Sequence, residues 1–245
     1  MSGNEILLEI YHLLLARFGS QNWWPANTAF EIIVGAILTQ QSRWSNVEKS
    51  IRNLKKEGLL EPEALSRSSL ERIESLVQPS GFYRQKAVRV RNLSRYLVEH
   101  YKGDLDKFLE RNTVEIRNEL LLLDGIGPET ADSILLYAGE KPVFVVDAYT
   151  TRFCKRFGLT KEKRYEKIRA FFETKLPRDL NLYKELHALI VQLGKEYCGT
   201  WPFCQECPLS SKCAHDVDLE MRKTAMVRLG LTLLRLPLVI VSICV

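Results

Sequence analysis

Leu122-Leu123-Asp124-Gly125-Ile126-Gly127-Pro128-Glu129-Thr130-Ala131 is the stretch whose reading decides how this chain is organised. A helical pattern from Val114 to Leu122 runs into Gly-x-Gly. Pro128 then stands where the first residue of a new helix belongs, with Thr130, Ala131, Ile134 and Leu135 continuing it. Two glycines open conformations closed to other residues and expose amides beside a helix N-terminus, where the aligned peptide dipoles favour an anion. A turn of this kind grips a phosphate through N–H groups without reading a base. An isolated Gly-Ile-Gly would serve equally as a helix–helix connection closed by a glycine cap. The flanking Leu-x and Pro-x-Thr-Ala make the pattern specific, and it resembles the helix-hairpin-helix signature.

Outward from that turn the apolar spacing is helical almost everywhere. Ile6, Leu7, Ile10, Leu13 and Leu14 share one stripe, Ile32, Ile33, Ile37 and Leu38 another, and Leu105, Phe108 and Leu109 a third. Breaks at Gly19-Ser20, Pro62, Pro79-Ser80-Gly81, Gly103, Gly125, Gly158 and Pro177 divide the chain into roughly ten helices of ordinary length. Pro142-Val143-Phe144-Val145-Val146 is the exception, short and β-branched, and fits an extended link as well as a strand. The expected class is all-α. No low-complexity linker separates parts of the chain, so any domains share an interface. With 245 residues and 46% hydrophobic composition, the chain can bury one large core or two smaller ones.

Cys198, Cys204, Cys207 and Cys213 fall within sixteen residues as C-x5-C-x2-C-x5-C. Thiolates this closely spaced can converge on one soft metal centre, and the run contains no histidine. Four-cysteine zinc sites usually pair two C-x2-C knuckles, whereas here one C-x2-C is flanked by two longer loops. The spacing therefore favours a [4Fe-4S] cluster, with zinc as the alternative and disulfides third. The N-terminus has helical periodicity rather than a basic start and an unbroken apolar run, so no signal peptide is expected. A reducing, cytoplasmic setting with nucleoid association follows, which suits thiolates. Cys154 and Cys244 read as small apolar residues. Net charge is +5 and the pI about 8.8, which permits a nucleic acid partner without demanding one. The apolar tail, residues 229–245, is interrupted by Arg235 and Pro237 and falls short of the ~20 residues of a membrane span. It is expected to be dispensable, and no membrane partner is expected.

Val145-Val146-Asp147 precedes a helix running through Thr151, Phe153 and Phe157, and Asp147 alone would read as its N-cap. The order of segments says more. Ala36-Ile37-Leu38-Thr39-Gln40-Gln41, Gly81-Phe82-Tyr83-Arg84-Gln85-Lys86-Ala87, the glycine turn, Val145-Val146-Asp147 and the cysteine loop together resemble the endonuclease III family of helix-hairpin-helix DNA glycosylases, over residues 5–215. The first cysteine gap is one residue shorter than the family's usual spacing.

The resemblance implies a bilobed protein with double-stranded DNA carrying a damaged base across the cleft. Residues 25–135 would form a helical bundle ending in the hairpin. Residues 1–24 with 136–228 would form the second lobe, containing the cluster loop at 198–213. The damaged nucleotide is flipped out so that its N-glycosidic bond can be reached. Asp147 matches the catalytic aspartate, whose anion stabilises oxocarbenium character on the sugar and orients or deprotonates water. Gln41 matches a residue that fills the gap left in the duplex, and Gly125, Ile126 and Gly127 form the phosphate-gripping hairpin. Bifunctional members carry a Schiff-base lysine where this chain has Glu129, and glutamate cannot form that imine. A monofunctional enzyme, acting as a monomer, is therefore expected. Trp23-Trp24-Pro25 and Trp44, with Glu129, resemble the 3-methyladenine glycosylases of the endonuclease III type, and Trp24 and Trp44 are the candidates for stacking on the base. Lys195 is a candidate for the cleft. Arg84, Lys86, Arg89, Arg91, Lys212, Arg222 and Lys223 are candidates for phosphate contact, although such runs commonly form a solvated face.

Overall fold

The computed structural model describes residues 3–215, and every regular element among them is helical. Helix α1 (Gly3–Phe18) is followed by an irregular segment bearing Trp23, Trp24 and Pro25. Then come α2 (Ala29–Leu38), α3 (Trp44–Lys56), α4 (Pro62–Arg67), α5 (Leu70–Val77) and α6 (Tyr83–Tyr101). Two more helices, α7 (Leu105–Leu109) and α8 (Thr113–Leu122), lead to the glycine turn. Beyond it α9 (Pro128–Ser133) passes directly into a π-helical turn, Ile134–Ala138. The set closes with α10 (Ala148–Phe157), α11 (Tyr165–Lys175) and α12 (Leu180–Glu196), after which the cysteine loop begins.

Local chemistry starts and stops these helices. The side chains of Thr28, Ser69, Asp104, Asn112, Asp147 and Asp179 each accept a hydrogen bond from a first-turn amide, supplying partners that helical backbone lacks at its N-terminus. Pro62 and Pro128 occupy first helical positions, where a missing N–H costs nothing.

Two apolar cores result. One gathers Phe30, Ile33, Ile37, Val47, Leu54, Leu97, Phe108, Ile116 and Leu120 from α2, α3, α6, α7 and α8. The other gathers Leu7, Ile10 and Leu14 of α1 with Phe153, Phe172, Leu186 and Leu189. The π-helical turn serves both, since Ile134 and Leu135 lie in the first core and Leu136 and Tyr137 in the second. Trp24 packs against both as well. The Pro142–Val146 segment forms no strand. Val143, Phe144, Val145 and Val146 are buried, and the Phe144 and Val146 amides donate to the side chains of Glu173 (3.0 Å) and Tyr165 (3.5 Å). Its β-branched composition thus reflects burial on all sides rather than pairing in a sheet.

The glycine turn is tied to the second core through a buried carboxylate. Asp132 on α9 has no exposed surface and receives both prongs of Arg117 on α8 (2.6 and 3.1 Å). Arg169 (3.3 Å) and the Tyr165 hydroxyl (2.8 Å) also donate to it, both from α11. A buried ion is tolerated because both carboxylate oxygens receive charged donors and the tyrosine adds a third partner to Oδ2. Among the described residues no helix is long and apolar enough to cross a membrane. The apolar tail, Arg222, Lys223 and Cys244 lie outside the described residues.

Candidate active site and DNA interface

Asp147 combines two jobs. As the N-cap of α10, its Oδ1 accepts the Thr150 amide at 2.7 Å. Its side chain is nevertheless 14% exposed, and Oδ2 faces Nε2 of His187 on α12 at 3.8 Å. Behind the imidazole, Nδ1 lies 2.6 Å from the Tyr137 hydroxyl. Burial lowers the His187 pKa, opposed by the charge of Asp147, so the ring stays neutral. Burial also raises the Tyr137 phenol well above its ordinary range, with Asp147 and Glu185 adding to the rise. No sequence pattern had singled out Tyr137 or His187. They come from separate helices, and neither spacing nor composition links them to Asp147.

Glu129, on the first turn of α9, is exposed to solvent. The surrounding protein still desolvates its carboxyl. Together with the negative charge of Asp147, this raises its pKa to about 7. The two carboxyl groups are thus electrostatic neighbours, although they lie eighteen positions apart in the chain.

The three indoles form one half-buried cluster. Trp23 and Trp44 meet edge to face at 4.5 Å, Trp24 and Trp44 at 5.4 Å, and Trp23 leans on Trp24 at 5.1 Å. Trp24 fits because residue 35 of α2 is glycine, where a Cβ would come within 3.1 Å of the indole. On its other side Trp24 meets the Tyr137 ring at 5.5 Å, which connects the cluster through Tyr137 and His187 to Asp147. The ammonium of Lys195 on α12 lies 5.9 Å from the Trp23 ring. A cavity of about 200 Å³ opens beside Trp24, Pro25 and Trp44, walled by Glu31, Glu48 and Lys55. Asp147 and Glu129 do not line it, so it is an annex of the indole cluster rather than the reaction centre.

At the hairpin, Gly125 adopts φ 77. That left-handed conformation costs other residues about 1–2 kcal/mol. A Cβ there would also meet the Arg89 guanidinium, 1.9 Å from its Nε. The Ile126 amide is used internally, donating to Leu123 O at 3.1 Å, and its side chain is only 5% exposed. Ile126 therefore anchors the turn rather than presenting a donor. No side chain caps α9, whose first residue, Pro128, carries no N–H. Gln41 lies not on α2, which ends at Leu38, but in the following turn, exposed and at φ 51. Its neighbour Gln40 binds that turn to the hairpin, donating to Gly125 O and Thr130 Oγ1, both at 2.9 Å.

Lys86 corrects an expectation. It does not face phosphate but is 1% exposed, its ammonium donating to Leu38 O (2.8 Å) and Ser80 O (2.6 Å). Desolvation, with the charge of Arg89, depresses its pKa to about 8. An isolated basic residue in a basic run gives no sign of such burial. Lys212 is also engaged, paired with Glu9 at 2.7 Å.

The four cysteines line a single pocket with Arg156, Tyr197, Pro202, Ser210 and His215. The Arg156 guanidinium approaches Cys198 Sγ at 3.4 Å, and with Arg152 it binds the backbone oxygens of Cys198, Gly199 and Thr200. Burial pushes the Cys207 thiol up to about 11, with Cys198, Cys213 and Cys204 contributing further. Among the described residues no three His, Cys, Asp or Glu side chains are arranged to hold a metal ion.

Comparison with known proteins agrees with this geometry. Residues 34–178 match the HhH-GPD superfamily base excision DNA repair protein family. A Methanocaldococcus jannaschii protein assigned as a DNA repair glycosylase is 46% identical over 85% of this chain and 96% of its own length. The crystal structure of Helicobacter pylori 3-methyladenine DNA glycosylase (MagIII) bound to 1,N6-ethenoadenine superposes with a TM-score of 0.70 at 31% identity, covering 80% of this chain and 98% of that one. A trapped endonuclease III–DNA covalent intermediate superposes with a TM-score of 0.77 at 22% identity over 90% and 100% of the two chains, a likeness of fold.

Proposed function

The chain belongs to the HhH-GPD superfamily of base excision DNA repair proteins, and from that membership we propose that it is a monofunctional DNA glycosylase excising a flipped alkylated purine such as 3-methyladenine. The observation that carries the proposal is Glu129, a carboxyl group that feels the charge of Asp147 and stands in the chain where bifunctional endonuclease III enzymes bring a nucleophilic lysine. With no amine at that position, water is the nucleophile and an intact abasic site the product.

In this reading, Asp147 meets the sugar as an anion, stabilises positive charge as the N-glycosidic bond breaks, and takes a proton from the water that attacks the anomeric carbon. A purine alkylated at a ring nitrogen, as in 3-methyladenine, carries positive charge in DNA, so it departs without prior protonation and is attracted by the faces of Trp24 and Trp44. The 1,N6-ethenoadenine in the Helicobacter pylori structure is likewise a modified purine. Gln41 enters the duplex gap, and the hairpin at Gly125, Ile126 and Gly127 meets the DNA backbone through amides around Ile126.

Cys198, Cys204, Cys207 and Cys213 would hold a [4Fe-4S] cluster, zinc being the alternative. The reading is supported by the donor set, four cysteines lining one pocket with a guanidinium beside Cys198 that offsets thiolate charge, although their side chains are not drawn together as a metal-holding group. When bound, the cluster supplies rigidity to the loop. Arg152 and Arg156 carry the loop on α10, the helix that Asp147 caps.

A panel of defined-lesion duplexes, assayed with and without alkali and with borohydride, tests the proposal. The expected result is alkylpurine release, strand breaks only after alkali, and no trapped adduct. Cleavage of thymine-glycol duplexes without alkali, with alkylpurines untouched, would overturn it.

A further inference from the structure

We propose that His187 is a positioning residue for Asp147: clamped through Nδ1 by Tyr137, it turns Nε2–H toward Oδ2 and sets the plane in which the carboxylate meets sugar and water. The proposal rests on reading Asp147 as the catalytic carboxylate.

Three chain segments build the arrangement: the π-helical turn supplies Tyr137, α12 supplies His187, and the start of α10 supplies Asp147. His187 is 7% exposed and Tyr137 4%, so solvent does not organise either ring. A protonated phenol 2.6 Å from a neutral imidazole nitrogen makes a short hydrogen bond, and the competing acceptor, Lys184 O, is farther away at 3.4 Å. Donation from the phenol to Nδ1 puts the ring proton on Nε2. The opposite tautomer would aim a lone pair at an anion. Nε2 has no hydrogen-bond partner among the described residues, and Asp147 Oδ2 faces it at 3.8 Å. That gap exceeds an ordinary N–H···O length by roughly 0.9 Å, so a small adjustment of the carboxylate closes it. With Thr150 N–H already on Oδ1 at 2.7 Å, each carboxylate oxygen then faces one donor from the protein, which defines the orientation of the group.

The test uses the full chain, a methylated-adenine duplex and a tetrahydrofuran abasic-analogue duplex. His187→Leu should slow single-turnover excision on the order of 10- to 100-fold. Affinity for the analogue should stay within about twofold, because only the chemical step depends on carboxylate orientation. His187→Gln, whose amide N–H can replace Nε2–H, should restore most of the rate. Should His187→Leu fail to fold, Tyr137→Phe removes only the hydroxyl and should still slow excision severalfold. The ¹⁵N spectrum of the unmodified protein should show the Nε2–H tautomer. Wild-type rates in His187→Leu or Tyr137→Phe, no rescue by His187→Gln, parallel loss of analogue affinity, or the Nδ1–H tautomer would each overturn the proposal. Asp147→Asn separates the two readings. If it is inactive while the His187 variants are fully active, only the positioning role falls; if it is active, the catalytic assignment falls.

Discussion

The hairpin and the cysteine loop are closed in different ways. The hairpin region closes with its own atoms. Ile126 is buried in the first core, the Ile126 amide closes the turn onto Leu123, and Asp132 joins α8, α9 and α11 through two arginines and a tyrosine. The cysteine loop closes far less. Leu209 is its buried apolar residue, Trp201 is 90% exposed and Phe203 47% exposed, and much of its anchorage comes from Arg152 and Arg156 reaching across from α10. The order of the turn is intrinsic, and a turn that grips phosphate, as proposed above, must be shaped before DNA arrives. A loop of four thiols around a pocket can leave part of its order to a bound metal centre.

The largest expected effect tests whether the self-closed region separates chemistry from stability. Asp147→Asn should lower single-turnover excision on the order of 10³-fold, because it removes a charge that acts mainly in the transition state. Asparagine caps helices as well as aspartate does, so the melting temperature should hardly move. Near-normal excision by this variant would falsify the catalytic assignment.

Breaking the closure itself comes next. Asp132→Ala leaves Arg117 and Arg169 without their buried partner, and loss of one member of such a set costs about 3–5 kcal/mol. A urea unfolding midpoint unchanged from the parent would show that the carboxylate does not hold the hairpin to α11.

On the other side of the comparison, purified protein should be brown with about four irons per chain. Cys204→Ser or Cys207→Ser should lose iron, open residues 197–213 to protease and weaken DNA binding, while the hairpin stays protected from hydrogen exchange. Stoichiometric zinc without iron, or an unchanged digestion pattern, would contradict that division.

The smallest effect is a pH dependence at the edge of the hairpin. Glu129 has a folded pKa of about 7, above the ordinary value of a carboxyl group. The native state therefore holds a proton that the unfolded state has released, and stability falls as pH rises from about 4.5 to about 7. Glu129→Gln should flatten the melting temperature over that window. An identical pH profile in the variant would mean that the surrounding protein does not desolvate the group.

Much of this was legible in the sequence because it was local. The hairpin motif, Pro128 at a first helical position and Asp147 as a cap depend on residues a few positions apart, and each appears where the spacing placed it. The same is true of the core stripes through Leu7, Ile10 and Leu14 and through Ile33 and Ile37. The burial of Lys86 is not legible in the sequence, because it depends on the carbonyls of Leu38 and Ser80, contacts that no composition reports. The bracing role of Gln40 is not legible either, because its partners lie in other parts of the chain, at Gly125, Thr130 and Arg89.

By itself, then, the sequence determined the helical class, the turn, the grouping of the cysteines and the family, since periodicity, glycine conformations and motif spacing are written along the chain. Only the tertiary structure decided which groups meet. It set Tyr137 and His187 behind Asp147, brought Glu129 under the influence of that carboxylate, gathered three indoles with Trp24 seated on Gly35, and buried Asp132 between two arginines. These contacts join residues from separate helices, and the desolvation and charge that tune them exist only once both cores have packed.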